Sequence, residues 1–298
     1  MRTLLWVFLL VGIVTVPFAG AADVVVQDSN LVIVSDKPLD IVQHFLKSFP
    51  RLKDEVERIL GLHLQNRPVL LLVEDREKFE RMSENPLIAA FAVPSRNLIV
   101  MRVGSADSRI FVLDDILKHE LCHLILHENI QESGLPKWLD EGICQWVSGT
   151  IGDFLAQGQP ELGRRDFPRS YIPLERLSNH FPTEKNALFL AYWQSRSFVQ
   201  YLSGQHGREK IVDILHSLKS GTDVNAAFLV NIGQSVETAE TKWLEEESNR
   251  NSFLLWITQY LYELLFFAAA LLAVLAFILR TISNRKRYSI SDREDTDF

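Results

Sequence analysis

The stretch DDILKHELCHLILHE, Asp114 to Glu128, reads as a helix. Leu117, Leu121, Leu124 and Ile125 recur at helical spacing and predict a buried stripe. Asp114 or Asp115 stands where an N-cap is wanted, with its carboxylate at the positive helix end. Within the stretch lies His119-Glu120-Leu121-Cys122-His123, an HExxH pattern. Residues four apart lie one above the other on a helix, so both imidazoles can reach one metal ion. Glu120 can then reach a water on that ion and act as a general base. The plainer reading is a helix with two incidental histidines, and a third ligand decides between the two.

Catalytic zinc usually has three protein ligands and one open position. Downstream comes Leu135-Pro136-Lys137-Trp138-Leu139-Asp140-Glu141-Gly142-Ile143. Ser133, Gly134 and Pro136 supply a turn. A second helix can return past the first and bring Glu141, or its neighbour Asp140, to the ion. His127 continues the row of His119 and His123, but it sits about 12 Å along the axis from His119 and is the weaker candidate.

HExxH followed by W-L-x-E-G at this spacing resembles the gluzincin zinc peptidases, in particular the peptidase MA-like group related to thermolysin and the aminopeptidases. The resemblance covers about Leu31 to Glu247 and is sharpest at these two motifs. It implies zinc as cofactor, held by His119, His123 and Glu141, with Glu120 as the base; it places the third ligand directly before the glycine, not at Asp140. Tyr192, in Ala191-Tyr192-Trp193-Gln194-Ser195, is similar to the aminopeptidase tyrosine that stabilises the transition state, which implies an oxyanion role. The alternative is a core tyrosine, with Tyr171 and His180 in reserve for the role. Gln145, one turn after Glu141, is a candidate for orienting a ligand histidine, where thermolysin-like enzymes have an acidic residue; a surface amide is the alternative. The glycine-methionine-glutamate-asparagine type segment that binds a free α-amine in aminopeptidases is not visible, which favours an endopeptidase acting on peptide or protein substrates. The competing expectation is a catalytically inactive zinc-binding or interaction protein on a peptidase fold. Glu120 weighs against it, since a structural site needs no such carboxylate and is usually closed by four ligands.

The rest of the chain sets the surroundings. It has 298 residues and a formal net charge of −7. No basic run precedes the last segment, so nucleic-acid binding is not indicated. Arg2, the apolar run Leu4 to Val16 and Ala19-Gly20-Ala21 read as a signal peptide over residues 1–21, with an uncleaved anchor as the alternative. Phe253 to Leu279 carries one formal charge, Glu263, and is long enough to span a bilayer. Trp256, Tyr260 and Tyr262 suit the interface belt, and Arg280, Arg285, Lys286 and Arg287 mark the cytoplasmic side. The expected layout is an extracytoplasmic domain at 22–252, periplasmic or extracellular, then a single-pass transmembrane helix at 253–279 and a cytoplasmic tail at 280–298. Asp114, Asp115, Lys118 and Glu128 argue against a motif buried in the membrane. Cys122 and Cys144 are the only cysteines. They sit off the expected metal face, and either a disulfide clamping the two ligand helices or a pair of buried thiols fits them.

Strands come first and helices later, which predicts an α+β fold: a small mixed sheet with helices over 30–105, then a mostly helical part over 113–249. Strands are expected at Asn30 to Ser35 and Val69 to Val73. A β-hairpin is expected from Ala89 to Val93 and Leu98 to Val103 around Pro94-Ser95-Arg96-Asn97. Helices are expected over Pro38 to Leu60, kinked or divided at Pro50, then Arg76 to Met82, Asn186 to Gly204, Arg208 to Lys219 and Val236 to Asn249. Gly149 to Tyr171 reads as loops beside the cleft. The hairpin is expected to lie beside the metal, with Leu98 to Val103 leaving one edge unpaired for an extended substrate, as is common in gluzincins.

Overall fold

The computed structural model describes residues 24–83, 88–104, 110–149, 167 and 170–294. The signal-peptide region and most of the stretch read as cleft loops lie outside the described residues. The chain divides into two compact units between Val236 and Glu237.

In the first unit five strands form one mixed sheet in the order β1-β2-β3-β5-β4. They are β1 (Val24–Gln27), β2 (Val32–Ser35), β3 (Val69–Val73), β4 (Ala90–Val93) and β5 (Leu98–Arg102). β2, β3 and β5 run parallel in the middle, and β1 and β4 are antiparallel to their neighbours. The hairpin is present. Its loop is a 3-10 turn at Pro94–Arg96 closed by Asn97 in the left-handed region at φ 48°, a conformation that asparagine tolerates. β5, however, is hydrogen-bonded on both sides, to β3 and to β4. The expected free edge at Leu98 to Val103 is therefore wrong, and among the described residues β4 is the edge on this side.

Alternation explains the two faces. Phe91, Val100 and Val73 pack with Phe79 of α2 (Arg76–Ser83) and Ile88. Ala90 and Ala92 pair with Met101 and Ile99 on the other face. These small side chains let α3 (Ile110–Asn129) lie close against the edge strand. α1 (Ile41–Leu60) buries Val42, Phe45, Phe49, Leu52, Val56 and Leu60 as one stripe. Pro50 lies within it and does not divide it. An interior proline costs roughly 3 kcal/mol in an isolated helix; here Phe49 and Leu52 on either side, each no more than 1% exposed, offset it.

α3 begins at Ile110, a turn before the aspartates, so neither caps it. Asp114 instead joins α3 to α1: its Oδ1 is 2.7 Å from His44 Nε2 and accepts from Ser48, and its Oδ2 is 3.2 Å from Arg51 Nη2. From His119 to Leu126 every residue is buried.

α4 (Lys137–Ser148) packs between α3 and α5 (Lys185–His206). Glu184 caps α5 by accepting from the backbone N–H of Asn186 and Ala187. α6 (Arg208–Lys219) starts and ends as expected. α7 (Val224–Ile232) was not expected, because only Ala227 and Phe228 are buried and no stripe shows.

The second unit is helical. α8 (Val236–Glu294) begins at the end of the first unit and runs without interruption through the expected break near Asn249, where no glycine or proline stands. Its apolar part, Tyr260–Thr281, is 22 residues long with mean hydropathy 2.5 and is not buried within the protein. At 1.5 Å per residue it is long enough for a hydrocarbon layer of about 30 Å.

Candidate active site

α3 supplies both histidines from one face, and α4 meets them with Glu141. His119 Nε2 and His123 Nε2 are 3.2 Å apart. Glu141 Oε2 lies 3.6 Å from each of them. A tetrahedral ion with bonds near 2.0–2.1 Å needs ligand atoms about 3.4 Å apart, and this triangle has that size. Glu141 Oε2 and His119 Nδ1 are buried with no hydrogen-bond partner among the described residues. An orphaned carboxylate oxygen beside two imidazole nitrogens is costly unless a cation joins them. The residues present fit zinc.

Asp140 lies behind this triangle. Its Oδ1 accepts from His123 Nδ1 at 2.7 Å, and its Oδ2 is 3.1 Å from His127 Nε2. A carboxylate only accepts, so Nδ1 of His123 carries the proton and Nε2 keeps its lone pair for the ion. Asp140 therefore fixes the orientation of His123 and does not face the triangle as Glu141 does. His127 is held by Asp140 outside the triangle and is not a third histidine ligand.

Gln145 does not fill the orienting role. It is fully buried, and neither amide atom has a hydrogen-bond partner among the described residues.

Burial opposes charge on all three of these groups, but their neighbours outweigh it. Asp140 and Glu141 push His123 well above the usual histidine range, so a positive charge is favoured at this point, and a bound cation would supply it in place of the second proton. His123, His127 and Lys137 hold Asp140 below the usual carboxylate range. Lys137, followed by the two histidines, holds Glu141 well below it.

Cys122 and Cys144 are buried free thiols, so the disulfide alternative is not the one found. Cys144 Sγ lies 3.4 Å from His123 Nδ1, against the outer side of a ligand. Burial first, then the adjacent Cys122 thiol and the carboxylates, pushes its pKa well up.

The site opens into a cavity of about 460 Å³. One wall is the hairpin, with Phe91, Ala92, Pro94 and Ser95; the floor is Glu120, His123 and Glu141; Lys137, Glu132 and His127 line the remainder with Tyr192. Glu120, 2% exposed, lines the same cavity as His123 and Glu141, with His119 buried behind them. Tyr192 is half-buried against Phe181, with ring centroids 5.0 Å apart. The reserves fare differently: the ring of Tyr171 packs on Phe167, and His180 is exposed. Lys137 escaped the sequence reading. Its spacing of four from Glu141, with opposite charge, was the available signal.

Asp140 gives a direct test. Asp140→Ala is expected to weaken zinc binding by about 10–100-fold, and Asp140→Asn, which keeps an acceptor, to recover part of it. Chelator competition on the purified protein measures both. Equal affinity in Asp140→Ala and wild type would remove Asp140 from the site.

No curated protein matches the chain. Among solved structures, the M1 zinc metallopeptidase from Deinococcus radiodurans is similar at 16% identity and a TM-score of 0.47, covering 76% of this chain and 50% of that one. A glutamate-to-alanine mutant of it matches at 14% identity and 0.47, over 75% and 51%. The same mutant bound to a Tyr-Ser-Ala substrate matches at 15% and 0.45, over 75% and 50%. The chain thus spans about half the length of these proteins. The family model of the Peptidase MA superfamily matches residues 82–247. That interval is more than half of the chain and contains α3, α4 and α5 with the whole ligand triangle, so the chain belongs to the Peptidase MA superfamily.

Proposed function

We propose that this protein is a membrane-anchored, zinc-dependent endopeptidase. The observation that carries the reading is the triangle of His119, His123 and Glu141, of which His123 and Glu141 line one open cavity together with Glu120. Zinc, when bound, supplies a Lewis acid that lowers the pKa of a water and polarises the scissile carbonyl. Glu120 takes a proton from that water as its oxygen attacks the carbonyl carbon. It then delivers the proton to the amine as the C–N bond breaks. Tyr192 donates a hydrogen bond to the carbonyl oxygen as negative charge grows there. The exposed side of β4 offers main-chain groups to an extended substrate. An inactive binding protein would have no use for Glu120 in this position.

The test is hydrolysis of a peptide blocked at both ends. The full-length chain, solubilised in detergent and holding one zinc, should cleave it internally. Cleavage confined to peptides with a free N-terminus would indicate an aminopeptidase, with Glu132 at the cavity as the candidate amine partner. One zinc bound and no cleavage of either peptide would favour the inactive reading.

Tyr260–Thr281 serves as the membrane span, with the catalytic unit outside the cytoplasm and the C-terminus inside. The arginines and lysine after the span motivate this orientation. A reporter fused after Phe298 should behave as cytoplasmic and one near Asn249 as exported; the reverse pattern would refute it.

A further inference from the structure

The two oxygens of Glu141 have opposite surroundings. Oε2 faces both histidine Nε2 atoms at 3.6 Å and has no hydrogen-bond partner among the described residues. Oε1 lies 2.7 Å from Lys137 Nζ. A carboxylate can offer a divalent ion one oxygen or two. If both bind, the ion with its water is already five-coordinate, and the position into which a catalytic zinc expands in the transition state is filled. We propose that Lys137 is a positioning residue that keeps Glu141 a one-oxygen ligand, and so holds a coordination position open. This rests on the metal reading above.

The contact is built into the local fold. Lys137 and Glu141 are one turn apart on α4, so their side chains meet without a loop to position them. The first turn of α4 is itself tied down, since Lys137 N–H donates to Ser178 O at 2.7 Å. The carboxylate is buried while the lysine side chain is 39% exposed, so the ammonium approaches from the cavity side. A distance of 2.7 Å is that of a charge-assisted hydrogen bond. An ordinary surface pair contributes little. Here one partner is buried and its other oxygen is committed to the ion.

The residue type fits the task. An arginine fork binds both oxygens of a carboxylate side by side, which would draw Oε2 away from the ion. A lysine ammonium is a point donor: here it takes Glu141 Oε1 at 2.7 Å, lies 3.6 Å from Asp140 Oδ2, and leaves Glu141 Oε2 to the ion. Its charge also offsets part of the negative charge of Glu120, Asp140 and Glu141, all at most 3% exposed. Two substitutions should therefore fail in different ways. Lys137→Met releases Oε1 to the ion, and Lys137→Arg competes with the ion for Oε2.

The test uses the full-length chain in detergent with zinc exchanged for cobalt(II), whose visible absorption is intense when four-coordinate and weaker when five-coordinate. Wild type should bind one cobalt and give the intense band. Lys137→Met should bind one cobalt and give a weaker band, with kcat lowered by about 10–100-fold and KM little changed. Lys137→Arg should lose metal affinity by about tenfold or more. A wild-type spectrum from Lys137→Met at full occupancy overturns the proposal. If circular dichroism shows Lys137→Met unfolded, Lys137→Leu, which also lacks a donor, carries the comparison: a weaker band supports the proposal and an unchanged one overturns it. A wild type that binds no cobalt, or a His119→Ala variant that binds it as tightly, would instead overturn the metal reading itself.

Discussion

Glu120→Gln is expected to leave the chain folded and loaded with zinc while lowering kcat by about 10²–10⁴-fold, the usual contribution of a positioned general base. Glutamine keeps the shape of the side chain, and Glu120 is not one of the three ligands, so metal content should stay at one per chain. The amide cannot accept a proton from water or pass one to the leaving amine. KM should change little, because the loss falls on the transition state and not on ground-state binding. Kinetics on the blocked peptide and metal analysis of the same samples check both halves. Proteins that accumulate in cells expressing only the glutamine form, relative to wild type, are the candidate substrates. Undiminished turnover in a zinc-loaded Glu120→Gln sample would remove Glu120 from the mechanism.

Gly142→Ala is expected to be as damaging, although no reacting group changes. A Cβ at this position would come within 2.8 Å of the Ser195 carbonyl carbon and of Val199 Cγ2, and closer still to the Ser195 oxygen. Two of these atoms are backbone in the middle of α5 and cannot swing aside. α4 must then back away from α5, which strains a packed core by about 1–3 kcal/mol. The position lies directly after Glu141, and Ser195 is one turn from Tyr192. Retreat of α4 therefore moves a zinc ligand and the proposed oxyanion donor apart. The expected result is a lower melting temperature together with loss of zinc at chelator concentrations that leave wild type loaded. Gly149→Ala is a control of the opposite kind. Its Cβ would meet nothing within 4 Å, and its positive φ of 76° would give backbone strain alone, so it should cost stability and leave zinc affinity unchanged. If Gly142→Ala matched wild type in both measurements, the close approach of α4 to α5 would not exist in solution.

The convergence of His119, His123 and Glu141 was legible because its signal is short-range. Helical spacing set His119 over His123, and the turn before Lys137 returned a second helix. What the sequence concealed depends on contacts between elements. Asp140 and Glu141 are adjacent carboxylates, and only the way α4 meets α3 shows which faces Nε2 and which faces Nδ1 of His123. Gln145 had the right spacing to share the face of Glu141, but its amide meets neither histidine. The sheet was read in its core and missed at its margin. β3 is a continuous apolar run and declared itself. β1 is four residues next to an apolar leader and did not. The pairing of β5 on both sides was hidden because strand order is a long-range property. A hairpin in the sequence does not say which of its strands joins the remaining sheet. α3 was placed correctly in register but started too late. Asp114 looks like a cap until the distant Arg51 and His44 are found around it.

The edge strand β4 is only four residues long and is followed at once by Pro94. Shortness of this kind protects a protein from pairing with copies of itself. It also limits what a substrate gains from main-chain bonds, so those bonds cannot pull apart structure that the substrate already holds. A segment locked in its own helix or sheet must release its backbone before it can lie along β4. If the proposed endopeptidase binds its substrate along β4, a denatured protein should therefore be cleaved faster than its native form, which a comparison of the two at equal concentration measures.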